Sequence, residues 1–177
     1  MTVLKTIAIV VAVLLAGVLI FAATKPDTFE VQRSASIKAP PDKIFALIDD
    51  FRNWGDWSPW EKKDPTMKKT FGNTTQGPGA VYAWEGNRDV GEGSMEIVGS
   101  VPATKVAIKL DFTKPFEAHN TVNFTLEARG DTTNVVWAMQ GPTPYFAKII
   151  HVFIDMDKMI GKDFEAGLAS LKALAEK

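Results

Sequence analysis

No cysteine occurs among the 177 residues, which excludes disulfides, thiol nucleophiles and thiolate metal sites. Histidine is nearly as scarce. His119 and His151 are the only two, and neither has a partner at metal-ligand spacing. His119 falls in the outward phase of its strand and His151 in a short helix, positions that argue against proton transfer by either. An excess of one charge is missing too: 20 basic against 21 acidic residues leave a formal net charge of -1, which argues against a nucleic-acid partner. There is no G-x-S-x-G elbow and no H-E-x-x-H. Gly91 to Gly93 lacks the strand-to-helix setting of a dinucleotide fingerprint. The carboxylates of Asp49 and Asp50 are neighbours on a helix and so diverge. The residues call for no cofactor and no metal, and the sequence has no repeats or low-complexity tracts.

What is present is apolar, at 46% of the chain, enough for one domain of ordinary size and a short extension. Ile7 to Ala23 is an unbroken apolar run of 17 residues, about 26 Å long as a helix against a hydrocarbon core of about 30 Å. Two readings compete: an uncleaved membrane anchor and a cleaved signal peptide with Lys5 as its charged start. Length favours the anchor, as does the large Ile20-Phe21 pair upstream of Ala22 and Ala23, where a cleavage site needs small residues. The division is then residues 1–24 as anchor, 25–28 as a short linker and 29–177 as a folded domain. Few basic residues flank the run, and their slight asymmetry places the domain on the extracytoplasmic side.

Within 29–177 the periods are clear. Phe29 to Ile37 alternates as a half-buried strand, with Arg33 out of character in the apolar phase. Pro40, Pro41 and Asp42 open a helix with an apolar face of Ile44, Phe45, Ile48 and Phe51, and Asp42 is expected to cap it. Phe51 to Trp60 follows as a broken aromatic helix holding three of the five tryptophans. Glu61 to Lys69 reads as a solvated charged stretch. Short strands then follow with turn signals between them, over 80–85, 91–98, 104–112, 118–127 and 132–140, as an antiparallel meander. Val106, Ile108, Leu110 and Phe112 share one face, as do Val122, Phe124 and Leu126. Thr143 and Pro144 are expected to cap a short apolar helix. Asp155 to Lys177 closes the chain as a long amphipathic helix, apolar at Met156, Met159, Ile160, Phe164, Leu168, Leu171 and Leu174.

In this order the chain resembles the helix-grip superfamily, the START-like or Bet v 1-like group (SRPBCC) that includes polyketide cyclase/dehydrase-type and lipid-transport domains. The residues that carry the resemblance begin with Val31 to Ser34, Ile37 to Pro41 and Ile44-Phe45. They continue through Trp54 to Trp60, Gly77 to Trp84, Gly86-Asn87, Gly91 to Gly93 and Met95, and close with Lys162 to Phe164, Gly167-Leu168 and Leu171-Lys172. They span essentially all of Phe29 to Lys177. The resemblance implies an α+β fold in which a curved antiparallel sheet of about seven strands grips the C-terminal helix around an apolar cavity. Members of the superfamily variously bind lipids, sterols or aromatic polyketides, catalyse cyclisation, or bind a protein partner.

The periodicity names the residues expected to wall such a cavity. From the helix come Met156, Met159 and Phe164; from the sheet come Trp84, Met95, Phe112, Phe124, Trp137 and Met139. Trp57 and Trp60 are candidates for an aromatic wall at its mouth, and Arg33 and Tyr82 for polar contacts inside it. Methionine adapts to irregular apolar shapes, which suits a hydrophobic or amphipathic ligand. The expectation is a membrane-anchored binding domain for such a molecule, with two alternatives: a cyclase or dehydratase using Arg33 or Tyr82 to polarise a carbonyl, or a module that binds an unidentified protein partner.

Overall fold

The computed structural model describes residues 2–177. Helix α1 covers Thr2–Ala23, and Ala22 is the one residue in it that the rest of the chain buries. It is apolar on nearly all sides and almost uncovered by the rest of the chain. At 22 residues it is about 33 Å long, enough to cross hydrocarbon. Among the described residues it is the one helix long and apolar enough to do so, properties a signal sequence shares.

Strand β1 (Thr28–Ile37) follows, then α2 (Pro41–Asp49), a 3-10 turn at Phe51–Asn53, α3 (Trp54–Trp57) and α4 (Pro59–Lys63). The strands β2 (Lys68–Phe71), β3 (Val81–Glu85), β4 (Glu92–Val101), β5 (Lys105–Lys114), β6 (Ala118–Arg129) and β7 (Thr132–Pro142) come next. A short α5 (Tyr145–Ile150) leads to α6 (Met156–Ala175). The seven strands form one antiparallel sheet in the order β1-β7-β6-β5-β4-β3-β2, so the first strand closes against the last. Register shifts in β4 at Glu92/Gly93 and Ile97/Gly99 add twist, and the sheet curls around α6.

Three local expectations are corrected. Asp42 lies in the first turn of α2 and does not cap it; the cap position is Pro40, with no side-chain bond. Thr143 does not cap α5, which starts at Tyr145 after Pro144, because its hydroxyl is buried without a partner among the described residues. The stretch Glu61 to Lys69 is not all solvated coil: it holds the end of α4 and the start of β2. Every residue of β2 is exposed, so its sequence shows no alternation. Its position at the sheet edge explains Lys68 and Lys69, since charge on an edge strand discourages pairing with another chain. By contrast Asp155 does cap α6, accepting from the Lys158 N–H at 3.1 Å.

The register arranges the inward side chains in rows across the sheet, and the rows divide the interior. Arg33, Trp137, Phe124 and Val106 form one row, and Val31, Met139, Val122, Ile108 and Ile97 the next. Asn120, Leu110, Met95 and Tyr82 form a third; Ala118, Phe112, Gly93 and Trp84 a fourth. Helices α2 to α4 and the C-terminal half of α6 fill the space over the first row and over part of the second, where Val122 and Met139 border the hollow. Over the last two the interior is hollow.

Candidate functional site

The hollow is a cavity of about 1300 Å³ between the sheet, α6 and α5. Its sheet wall is Tyr82, Trp84, Met95, Leu110, Phe112, Val122 and Met139, its helix wall Met156, Met159, Ile160 and Phe164, and Phe146 and Ile150 of α5 overhang the mouth. The inner end is closed by aromatic rings. Trp137 stacks on Phe164 with centroids 4.1 Å apart, and Trp60 meets Trp137 edge-on at 5.6 Å. Gly167 makes that stack possible, because a Cβ there would lie 2.7 Å from Trp137 Cζ3.

Of the residues expected in this wall, Trp60, Tyr82, Trp84, Met95, Phe112, Trp137, Met139, Met156, Met159 and Phe164 border the cavity, and three do not. Trp57 is fully buried behind the aromatic end, its indole N–H donating to the Leu47 carbonyl at 3.0 Å. Phe124 is fully buried too, with Trp54 and Trp57 each edge-on to it at 6.0 Å. Phe124 has the inward phase but lies in the filled row, and Trp57 belongs to α3, one of the helices that fill it. Trp54, absent from the sequence expectation, does reach the cavity.

Arg33 is the third. It points inward yet meets α6 rather than the hollow. Its guanidinium grips Asp157 through two bonds of 2.9 Å, donates from Nε to Glu165 at 2.7 Å, and reaches the Asp157 carbonyl at 3.0 Å. Asp157, Gly161 and Glu165 are spaced by four on one helical face. Gly161 supplies the room: a Cβ there would lie 1.9 Å from Arg33 Nη2. The bound Arg33 holds the Asp157 carboxyl below its ordinary range.

Polar groups on the wall are few. Tyr82 donates its hydroxyl to Glu61 at 3.2 Å, and Glu61 also accepts from Lys69 at 2.6 Å. Burial, with the Glu61 charge adding to it, pushes the Tyr82 phenol well above its usual value, so it stays a neutral donor. Lys63 and Asp163 pair across the wall at 2.6 Å. Toward the mouth, Asn120 is buried and reaches into the space left by Gly141, where a Cβ would lie 2.0 Å from Asn120 Oδ1. Trp137 Nε1 and Thr143 Oγ1 are buried without hydrogen-bond partners among the described residues. Asn120 was open to detection, since it shares the phase of Val122 and Phe124. Thr143 was not, because it looked like a helix cap.

The two histidines sit on either side of the mouth. His151 packs edge-on against Phe29 at 6.5 Å, and burial, then Lys25, lowers its pKa. His119 lies on the outer face, bonded to Asp111 at 2.7 Å and Glu117 at 3.2 Å, and the Asp111 bond chiefly raises its pKa. Among the described residues no group of three or more acidic or histidine side chains could hold a metal ion.

Comparison with known proteins agrees with this architecture. Ginseng major latex-like protein 151 from Panax ginseng superposes with a TM-score of 0.62 at 12% identity, over 86% of this chain and 100% of that one. Protein CV1439 from Chromobacterium violaceum gives 0.61 at 14% identity, over 86% and 99%. The Aha1 dimer from Colwellia psychrerythraea gives 0.61 at 17%, over 84% and 96%. At such identities the likeness is one of fold, the Bet v 1-like helix-grip fold. No curated protein matches the sequence. The family model for polyketide cyclase / dehydrase and lipid transport matches residues 28–176, nearly the whole domain after α1, and the chain belongs to that family.

Proposed function

We propose that this is a membrane-anchored binding domain for an apolar or amphipathic small molecule, lipid-like or polyketide-like, held between the sheet and α6 on the extracytoplasmic side. The observation that carries the reading is the cavity itself. At about 1300 Å³ it exceeds the ~300–1,000 Å³ of ordinary small-molecule sites, and its walls are mostly hydrocarbon and aromatic rings. Methionines 95, 139, 156 and 159 on those walls adjust to irregular shapes. Trp137 Nε1 and Thr143 Oγ1, buried and without partners among the described residues, are polar contacts a bound molecule with a carbonyl or hydroxyl would complete.

The test is native mass spectrometry of the full chain, released gently from detergent after expression in a membrane-containing host. One apolar adduct per chain is expected, and weaker retention of it in Met139→Trp, whose larger ring intrudes on the cavity. A clean apo mass, together with no thermal shift from fatty acids, sterols or aromatic polyketides, overturns the reading. A second reading, catalysis of the cyclase or dehydratase type, rests on Tyr82, a neutral donor on the wall with Glu61 behind it. Arg33 is no longer available to it. Turnover of an adducted ligand that stops in Tyr82→Phe while binding persists would select this second reading.

A further inference from the structure

The mouth of the cavity and the end of α1 are built into one another. The linker residue Asp27 accepts the Thr143 N–H on its carbonyl at 2.7 Å, and its carboxylate accepts from Lys148 Nζ at 2.5 Å. Lys148 is buried while the Asp27 side chain is exposed, so the tie holds a buried side chain of α5 to the linker at the surface. The Tyr145 hydroxyl donates to the Leu19 carbonyl at 2.9 Å, which fixes the start of α5 beside the last turns of α1. Sheet topology brings the start of β1, the β5–β6 turn and the start of α6 to that same end.

This end also carries the domain's exposed apolar surface. Phe116 is 64% exposed and Phe146 62%, with their rings 6.1 Å apart across the mouth, and Phe153 and Ile154, between α5 and α6, are exposed as well. Elsewhere on the domain, among the described residues, the exposed large apolar side chains are Phe71, Val98 and Val101. An exposed aromatic pair at the rim of a cavity mouth marks an interaction surface.

We infer that this rim is immersed in the bilayer that α1 spans, so that the cavity opens onto lipid rather than water and exchanges a bilayer-dissolved amphipath with it directly. The inference rests on reading α1 as an anchor. Depth decides the occupant. Leu19 lies inside the apolar run that must occupy hydrocarbon, and Tyr145 is bonded to it, so α5 stands at the level of the membrane interface. A soluble protein partner cannot reach a surface at that level. Lys25 marks the headgroup boundary just beyond, its ammonium 4.8 Å over the Phe21 ring.

The absence of cysteine makes the test direct, because one introduced thiol is unique in the chain. Full-length Phe116→Cys and Phe146→Cys, each labelled with an environment-sensitive fluorophore, are reconstituted into phosphatidylcholine vesicles with or without doxyl-labelled phosphatidylcholine. Phe153→Cys substitutes if either fails to fold. Val10→Cys in α1 and Val98→Cys, equally exposed on the domain's other side, are the references. The rim labels are expected to lose most of their emission to doxyl lipid and to resist aqueous iodide, as Val10→Cys does and Val98→Cys does not. Iodide quenching at the rim with lipid quenching at position 10 overturns the inference and leaves the anchor standing. Iodide quenching at all of these positions overturns the anchor, and the rim inference with it.

Discussion

Helix α6 carries the same apolar period along its whole length, yet its two halves do opposite things. From Phe164 to Ala175 the stripe is packed: Phe164, Leu168, Leu171 and Ala175 are buried against the sheet and the helices α2 to α4. From Met156 to Asp163 the stripe faces the hollow, and Met159 is half exposed. Periodicity therefore tells which face a residue is on, while its distance along the strands tells whether anything fills the space opposite. The filling comes from the aromatic segment Trp54 to Trp60, which plugs one end and has no counterpart at the other.

The largest effect that can break this comparison is on stability. Phe164→Ala removes one ring of the Trp137 stack from a filled site and is expected to cost about 3–5 kcal/mol. Met159→Ala, about one and a half turns nearer the mouth, is expected to cost no more than ~0.5 kcal/mol while weakening retention of the adduct. Denaturant titration of the full chain in detergent reads both. Equal costs would mean that the two halves are packed alike and that the hollow closes in solution.

Gly161, in the half nearer the mouth, is expected to show a smaller effect that changes sign. In the native chain Gly161→Ala drives its Cβ into Arg33 and ejects the guanidinium from Asp157 and Glu165, so the variant is less stable despite alanine's better helix propensity. In an Arg33→Ala background the space is empty, and the same substitution is expected to stabilise by about 1 kcal/mol. A double-mutant cycle measures the difference. Additive effects would show that Arg33 does not sit under the helix.

These sites also show what could be read without coordinates. The strands of the meander and the long final helix were legible because each keeps one face apolar, and the apolar extension because nothing interrupts it. Strand β2 was not, since an edge strand exposed on both faces has no pattern to show. The cavity wall was legible as a set of inward phases and illegible as a set of depths. Phe124 and Phe112 alternate identically, yet the register sets Phe124 beside Trp137 in the filled interior and Phe112 beside Ala118 at the mouth. Arg33 broke the apolar phase of β1, a true signal, but its partners lie more than a hundred residues away in sequence.

The smallest effect concerns the two histidines at the mouth, whose environments push in opposite directions. Burial holds the folded pKa of His151 below its ordinary 6.5. Its neutral form therefore contributes stability that is complete above pH 6.5 and is lost as the pH falls through the folded value. Asp111 holds the folded pKa of His119 above 6.5, so its protonated form contributes stability that is complete below 6.5 and is lost as the pH rises through the folded value. Thermal midpoints of the full chain are thus expected to peak near pH 6.5 and to decline on either side. His151→Gln should flatten the acid side alone and His119→Gln the alkaline side alone. If one substitution flattened both sides, the two rings would be titrating as a coupled pair, and the wall residue and the outer-face residue would share one environment instead of two.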